Sequence, residues 1–211
     1  MLLGNDRSDD PNARTLAIMT GYERPLTPET MAEMRKEIEK VVLVPGLSII
    51  WRQLDITHAQ EVFDHVLVAR FRGSCEVADL PPPSGFDNVL GFTHLSDGVI
   101  LPFVEVDCER IRSLLRREFR GKSRPVRELL LGRALARVLA HELYHVLAGT
   151  SKHSTRGIAK AHMSPDDLVR DDLAFEDGDL AKIRLRISTN LELAAQSAVP
   201  LENRSAKQTE E

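Results

Sequence analysis

Two histidines and a glutamate stand in the run His141-Glu142-Leu143-Tyr144-His145, and their spacing is that of a metal site. Residues four apart on an α-helix share one face, about 6 Å apart along the axis. Imidazoles so placed close on one zinc ion at roughly 2.0–2.1 Å each. Glu142, beside the first of them, is placed to hold a water there. It can take that water's proton as it attacks a carbonyl and return it to the leaving amine. Two imidazoles and a carboxylate among apolar residues are costly to bury without a metal.

The flanking pattern supplies the helix. Val126, Leu130, Leu131, Ala134, Leu135, Val138, Leu139 and Val146 recur at three- and four-residue steps. Pro125 suits a first-turn position and Gly149 a left-handed cap, so a helix is expected from Pro125 to Ala148. Arg127, Arg133, Arg137 and Tyr144 fall on its other side.

Composition narrows the rest. The 211 residues fit one domain with a sizeable core, and 42% hydrophobic and 28% charged residues are ordinary for a soluble globular protein. A formal net charge of −4 offers nothing to nucleic acid or to an anionic membrane. The most apolar run, Val41 to Ile50, is cut by Pro45-Gly46, so no membrane span is expected. The first eleven residues carry Asp6, Asp9 and Asp10 and lack the basic and apolar regions of an export signal. A cytoplasmic monomer is the default expectation. Cys75 and Cys108 each follow a strand-like stretch, and pairing and two free thiols are both open. A bridge would point to secretion from a longer start.

Three segments are expected. Residues 1–24 are polar and read as irregular, 25–187 as one catalytic domain, and 188–211 as a disordered tail. Thr27-Pro28-Glu29-Thr30 opens a helix that Pro45-Gly46 ends. Leu47–Leu54 is the first strand, Asp55–Asp64 a short helix, and His65–Gly73 an apolar central strand. A loop covers 76–88. The stretches 89–94 and 99–106 flank Ser96-Asp97-Gly98 as a hairpin, and Pro102 argues that its second strand lies at an edge. Asp107 to Arg120 returns to helix, and Ser164-Pro165-Asp166-Asp167 starts short helices that run to about Ile187.

A catalytic zinc needs a third protein ligand and an open position. The nearest candidate is His153, which a chain turning back at Gly149 can present; the rivals are Asp166, Asp167, Asp171, Asp172 and Glu176. Lys160, His162 and His94 are donors able to steady an oxyanion if they reach it, though a plain surface role suits each. His58 and His65 carry no partner pattern.

The order His141-Glu142-x-x-His145, Gly149, His153-Ser154 and Ala161-His162-Met163-Ser164-Pro165 resembles the metzincin metallopeptidases. These carry HExxHxxGxxH followed by a turn containing methionine, and uncharacterised bacterial metzincin-like proteins are similar too. The spacing from His145 to His153 is longer here, Gly149 comes one position late, and Ser164 stands where the family has tyrosine.

The resemblance implies an α+β zincin fold, a small mixed sheet with an edge hairpin packed on a long helix. It implies one zinc ion on His141, His145 and His153, Glu142 as general base, and Met163 beneath the metal. It also implies that Gly91, Phe92, Thr93 and His94 form the edge strand that aligns an extended peptide or protein substrate. Two rivals to a zinc peptidase of this type remain: a non-catalytic zinc module, and a gluzincin-type hydrolase with an acidic third ligand.

Overall fold

Residues 14–22 read as part of an irregular leader, yet Arg14–Tyr22 forms β1, an inner strand of the sheet. A computed structural model describes residues 14–54, 60–77 and 89–197, with side chains as far as residue 188. Leu16, Ala17 and Ile18 are buried, which the short apolar core of this strand between polar flanks does not announce. A parallel inner strand has both edges paired, so its place is decided by partners distant in sequence.

The chain continues through α1 (Pro28–Val41), β2 (Leu47–Gln53), β3 (His65–Arg72), β4 (Gly91–Ser96), β5 (Val99–Asp107), α2 (Cys108–Leu114), α3 (Arg116–Phe119), α4 (Arg124–Ala148), α5 (Pro165–Val169) and α6 (Asp177–Ser197). The fold is a mixed α+β arrangement with a five-stranded sheet in the order β2-β1-β3-β5-β4. β4 alone runs antiparallel, against β5. β3 is central, as its apolar character implies. Its burial alternates, with Leu67, Ala69 and Phe71 inside and Val66, Arg70 and Arg72 exposed, so the helices cover one face of the sheet.

Pro102 does not mark an edge: β5 lies between β3 and β4. The proline is tolerated because the ladder is broken where it sits. Thr93 pairs Val104 while Leu95 pairs Ile100, so Leu101, Pro102 and Phe103 stand opposite His94 alone. Pairing with β3 begins only at Phe103, and no ladder donor is missed.

Local chemistry at the helix ends follows the sequence. Thr27 caps α1 by accepting from the Thr30 backbone N–H, with Pro28 in the first turn. Ser164 and Asp167 close a reciprocal capping box on α5. The expected helix at 55–64 is not present in its described part, since 60–64 is irregular; residues 55–59 lie outside the described residues. The 107–120 helix breaks at Leu115 into α2 and α3. The tail expected from 188 begins as helix, since α6 continues to Ser197; residues 198–211, most of the 76–88 loop and the leader before Arg14 lie outside the described residues.

Cys75 and Cys108 are paired in a disulfide, both buried, with Cα atoms 4.9 Å apart. The bridge ties the segment after β3 to the first turn of α2. No helix among the described residues is long and apolar enough to cross a membrane.

The centre of the molecule is α4. Leu131, Leu135 and Leu139 are fully buried on it, each worth about 1.5–3 kcal/mol in apolar area removed from water. Its opposite side is buried too, against α1 and α6, which corrects the outward placement of two residues. Tyr144 is 1% exposed and Arg137 is 0% exposed. Arg137 survives there through partners: Nε and Nη2 donate to Glu37 Oε1 at 3.1 and 2.8 Å, and Nη1 to the Asp167 carbonyl at 2.7 Å.

Candidate metal centre

His141, Glu142 and His145 occupy the last turns of α4, and the helix stops where it must for a third group to return. Gly149 caps it in the left-handed region at φ 60°, a conformation that costs a side-chain-bearing residue about 1–2 kcal/mol. The Thr150 N–H then bonds the His145 carbonyl at 3.1 Å, and the chain doubles back. Ser154 pins the return: its N–H bonds the Ala159 carbonyl at 2.8 Å and its hydroxyl donates to Asp179 on α6 at 2.6 Å. That places His153 beside the helix, its ring centroid 5.1 Å from that of His141 and 4.9 Å from that of His145.

The three histidines each offer a nitrogen, and these nitrogens lie within 4.8 Å of one another, a group that can hold a metal ion. The hydrogen bonds around them test the fit. His141 Nδ1 is 2.8 Å from the Ile158 carbonyl oxygen and His145 Nδ1 is 2.7 Å from that of Thr150. Carbonyls only accept, so both Nδ1 atoms carry a proton, and in the neutral rings both Nε2 atoms present bare lone pairs. Those two lone pairs face each other across 3.1 Å. Two acceptors at that separation repel unless a proton or a cation lies between them. Burial, first, and then the neighbouring His145 and His153 push the His141 imidazole down to about 4 against the pull of the Ile158 carbonyl, which disfavours the proton. The donor set is therefore pre-oriented for a cation, with backbone carbonyls fixing each ring.

Glu142 points to the same space. It is 5% exposed, and burial lifts its carboxyl to about 7 against the lowering effect of the Thr93 hydroxyl. Thr93 Oγ1 donates to Glu142 Oε2 at 2.6 Å, a contact that nothing in the sequence signals, because it spans 49 positions between strand and helix. Gly91 leaves room for this carboxylate. A Cβ there would meet Val138 Cγ1 at 2.8 Å, the Glu105 carbonyl at 2.9 Å and Glu142 Oε1 at 3.2 Å. Gly91 and Thr93 both lie on β4, the terminal strand of the sheet.

Three of the five rival ligands are engaged elsewhere. Asp167 bonds Ser164 and Lys160, Asp171 pairs Arg133, and Asp172 pairs Arg170. Among the described residues no carboxylate joins the histidine group. Met163 is half-buried, packs against the core and lines the cavity over the histidines. Lys160 and His162 line it as well, with Lys160 held by Asp167 at 2.7 Å. His94 does not reach it and sits 3.3 Å from Glu105. Phe92 lines the cavity and is 42% exposed. His65 lies in β3 away from the group, and His58 is outside the described residues.

The cavity holds about 1130 Å³ and is floored by one stripe of α4: Val138, His141, Glu142 and His145. This arrangement can present a metal, a base and an open approach to one substrate.

No family model matches the chain, and no curated protein matches it. Among solved structures it is similar to the crystal structure of archaemetzincin from Methanopyrus kandleri. The two share 12% identity at a TM-score of 0.47, over 85% of this chain and 98% of that one. A likeness so distant does not establish a family.

Proposed function

We propose that the chain is a zinc-dependent peptidase of metzincin-like architecture, with His141, His145 and His153 as the metal ligands and Glu142 as general base. The observation that carries this reading is the pair of Nε2 atoms facing each other at 3.1 Å, each ring's Nδ1 held by a backbone carbonyl, with His153 beside them. Three neutral nitrogens suit zinc, and three ligands without a carboxylate leave the open position of a catalytic site rather than the closed sphere of a structural one. A zinc ion held there would polarise a carbonyl and make water acidic enough to attack near neutral pH.

The chain's own residues do the rest. Glu142 takes a proton from the attacking water as oxygen bonds the carbonyl carbon. It then delivers that proton to the amine as the carbon–nitrogen bond breaks. Burial lifts this carboxyl to about 7 in the metal-free protein, and a cation bound beside it would draw it back toward the ionised form that accepts the proton. The Thr93 hydroxyl keeps the carboxylate from swinging away. β4, with one edge free of strand partners among the described residues, supports alignment of an extended peptide by strand addition. Met163 packs at the cavity wall where a methionine-containing turn would support the ligands.

Metal analysis with peptide hydrolysis on the wild type and Glu142→Gln tests this. Expected is stoichiometric zinc in both proteins, with turnover about 10²–10⁴-fold lower in the variant. A wild type that holds zinc and cuts nothing would favour a non-catalytic zinc module instead.

A further inference from the structure

Charge in the cavity runs against charge in the chain. The whole sequence is net acidic at −4, yet the cavity lining carries Arg110, Arg116, Arg117 and Lys160 against a single carboxylate, Glu142.

Their placement is specific. The floor of the cavity follows α4, and Val138 stands one turn before Glu142, about 6 Å along the axis. Leu114 and Ser113 of α2 and Arg116 and Arg117 of α3 wall the same space. Leu115 and Phe119 are fully buried, which anchors α3 and turns Arg117, two positions from each, away from the core. The Cys75–Cys108 bridge fixes the start of α2 as well. This wall belongs to rigid elements rather than to a loose loop.

Three of the cations are already engaged, Arg116 among them. Arg110 pairs Asp107 at 3.1 Å and also donates to the Val89 carbonyl, and Lys160 pairs Asp167 at 2.7 Å. Arg117 is exposed and has no carboxylate partner among the described residues. Leu114, Val138 and Met163 line the same cavity as Arg117 and the histidines, apolar surface that accepts a hydrocarbon stem.

We infer that the site selects peptides carrying a carboxylate next to the scissile bond, with Arg117 as the residue that receives it. This rests on the peptidase reading. A guanidinium binds a carboxylate through two parallel N–H donors, and glutamine or lysine at the same place cannot reproduce that geometry and charge. The carboxylate can come from an aspartate or glutamate side chain or from the peptide's own C-terminus.

The test uses the zinc-loaded full chain and fluorogenic peptides that differ only in Glu, Gln or Lys at each position flanking the bond, all with amidated C-termini. A further arm offers the Gln peptide with a free C-terminus beyond the bond. Expected is a kcat/KM about tenfold higher for Glu than for Gln at one flanking position, lower again for Lys, with the ratio shrinking as salt rises. Arg117→Glu should invert the order toward Lys and Arg117→Gln should flatten it, with zinc content unchanged in both. A preference seen only in the free-terminus arm assigns the terminal carboxylate. Equal cleavage of Glu, Gln and Lys peptides, with no gain from the free terminus, overturns the inference and leaves the peptidase reading standing. So does a Glu preference that Arg117→Glu leaves intact. No cleavage of any peptide by zinc-bound protein overturns both.

Discussion

Thr93 Oγ1 lies 2.6 Å from Glu142 Oε2, and the same hydroxyl is 3.3 Å from the Glu142 main-chain oxygen. One side chain on the terminal strand thus fixes the carboxylate proposed as the general base. A hydrogen bond to a charged group is worth about 1.5–3 kcal/mol. Thr93→Val is expected to lower kcat about 10–100-fold with KM and zinc content near wild type, and Thr93→Ser to recover most of it. Without the hydroxyl that lowers it, Glu142 also titrates higher, so the rising limb of the pH–rate profile moves up. A Val variant with wild-type kcat would show that Glu142 needs no such restraint.

The proposed metal ligands differ in how deeply they are built in. His145 is 8% exposed, while His153 lies on the surface side of the group. His153→Ala should leave the fold intact by circular dichroism and weaken zinc affinity by more than the roughly 10–100-fold typical of losing an outer partner. His145→Ala should weaken zinc and lower the melting temperature as well. Undiminished zinc binding by His153→Ala would return the third ligand to one of the acidic rivals.

In the metal-free protein two buried groups oppose each other with pH. Glu142 titrates near 7 in the fold against an ordinary 4.5, because burial penalises its charge, so its contribution falls as pH rises from 4.5 to 7. His141 titrates near 4 against 6.5, for the same first reason, so its contribution falls as pH drops from 6.5 to 4. Each is worth about 3 kcal/mol over its window. Wild-type stability should therefore be nearly flat between pH 4.5 and 6.5 as far as these groups are concerned. Glu142→Gln removes one slope, and its urea midpoint should climb steadily with pH across that interval. A flat profile in the variant would contradict the assignment.

The Arg137–Glu37 pair is buried and joins α4 to α1, with Arg137 also holding the start of α5 through the Asp167 carbonyl. Removing one member strands a charge, at about 3–5 kcal/mol. Glu37→Gln and Arg137→Met should each lose that much in urea unfolding, and the double variant should lose clearly less than the sum. Strict additivity would mean that the two side chains do not act as a pair.

Helix α4 was legible because its information is local. An i, i+4 pair of histidines, apolar residues at helical steps and a glycine at the end are all read within a few turns, and α4 runs from Arg124 to Ala148 nearly where the pattern places it. His153 needed only the short return after Gly149. Pro102 and β1 show the opposite case. A proline argues for an edge only if the ladder is regular, and the displaced pairing opposite His94 is set by the turn and by β3. β1 is made a strand by β2 and β3, which lie more than thirty positions away in register.

From residues alone come the metal-binding pattern, the base beside it and the helix that carries both, since each depends on neighbours within a few residues along the chain. Tertiary structure alone decided which hydroxyl holds Glu142, which carbonyls orient the imidazoles, that Arg137 is interior and that Cys75 meets Cys108. Those are contacts between groups brought together by packing, and no spacing in a linear sequence encodes which distant partner will close over a buried polar atom.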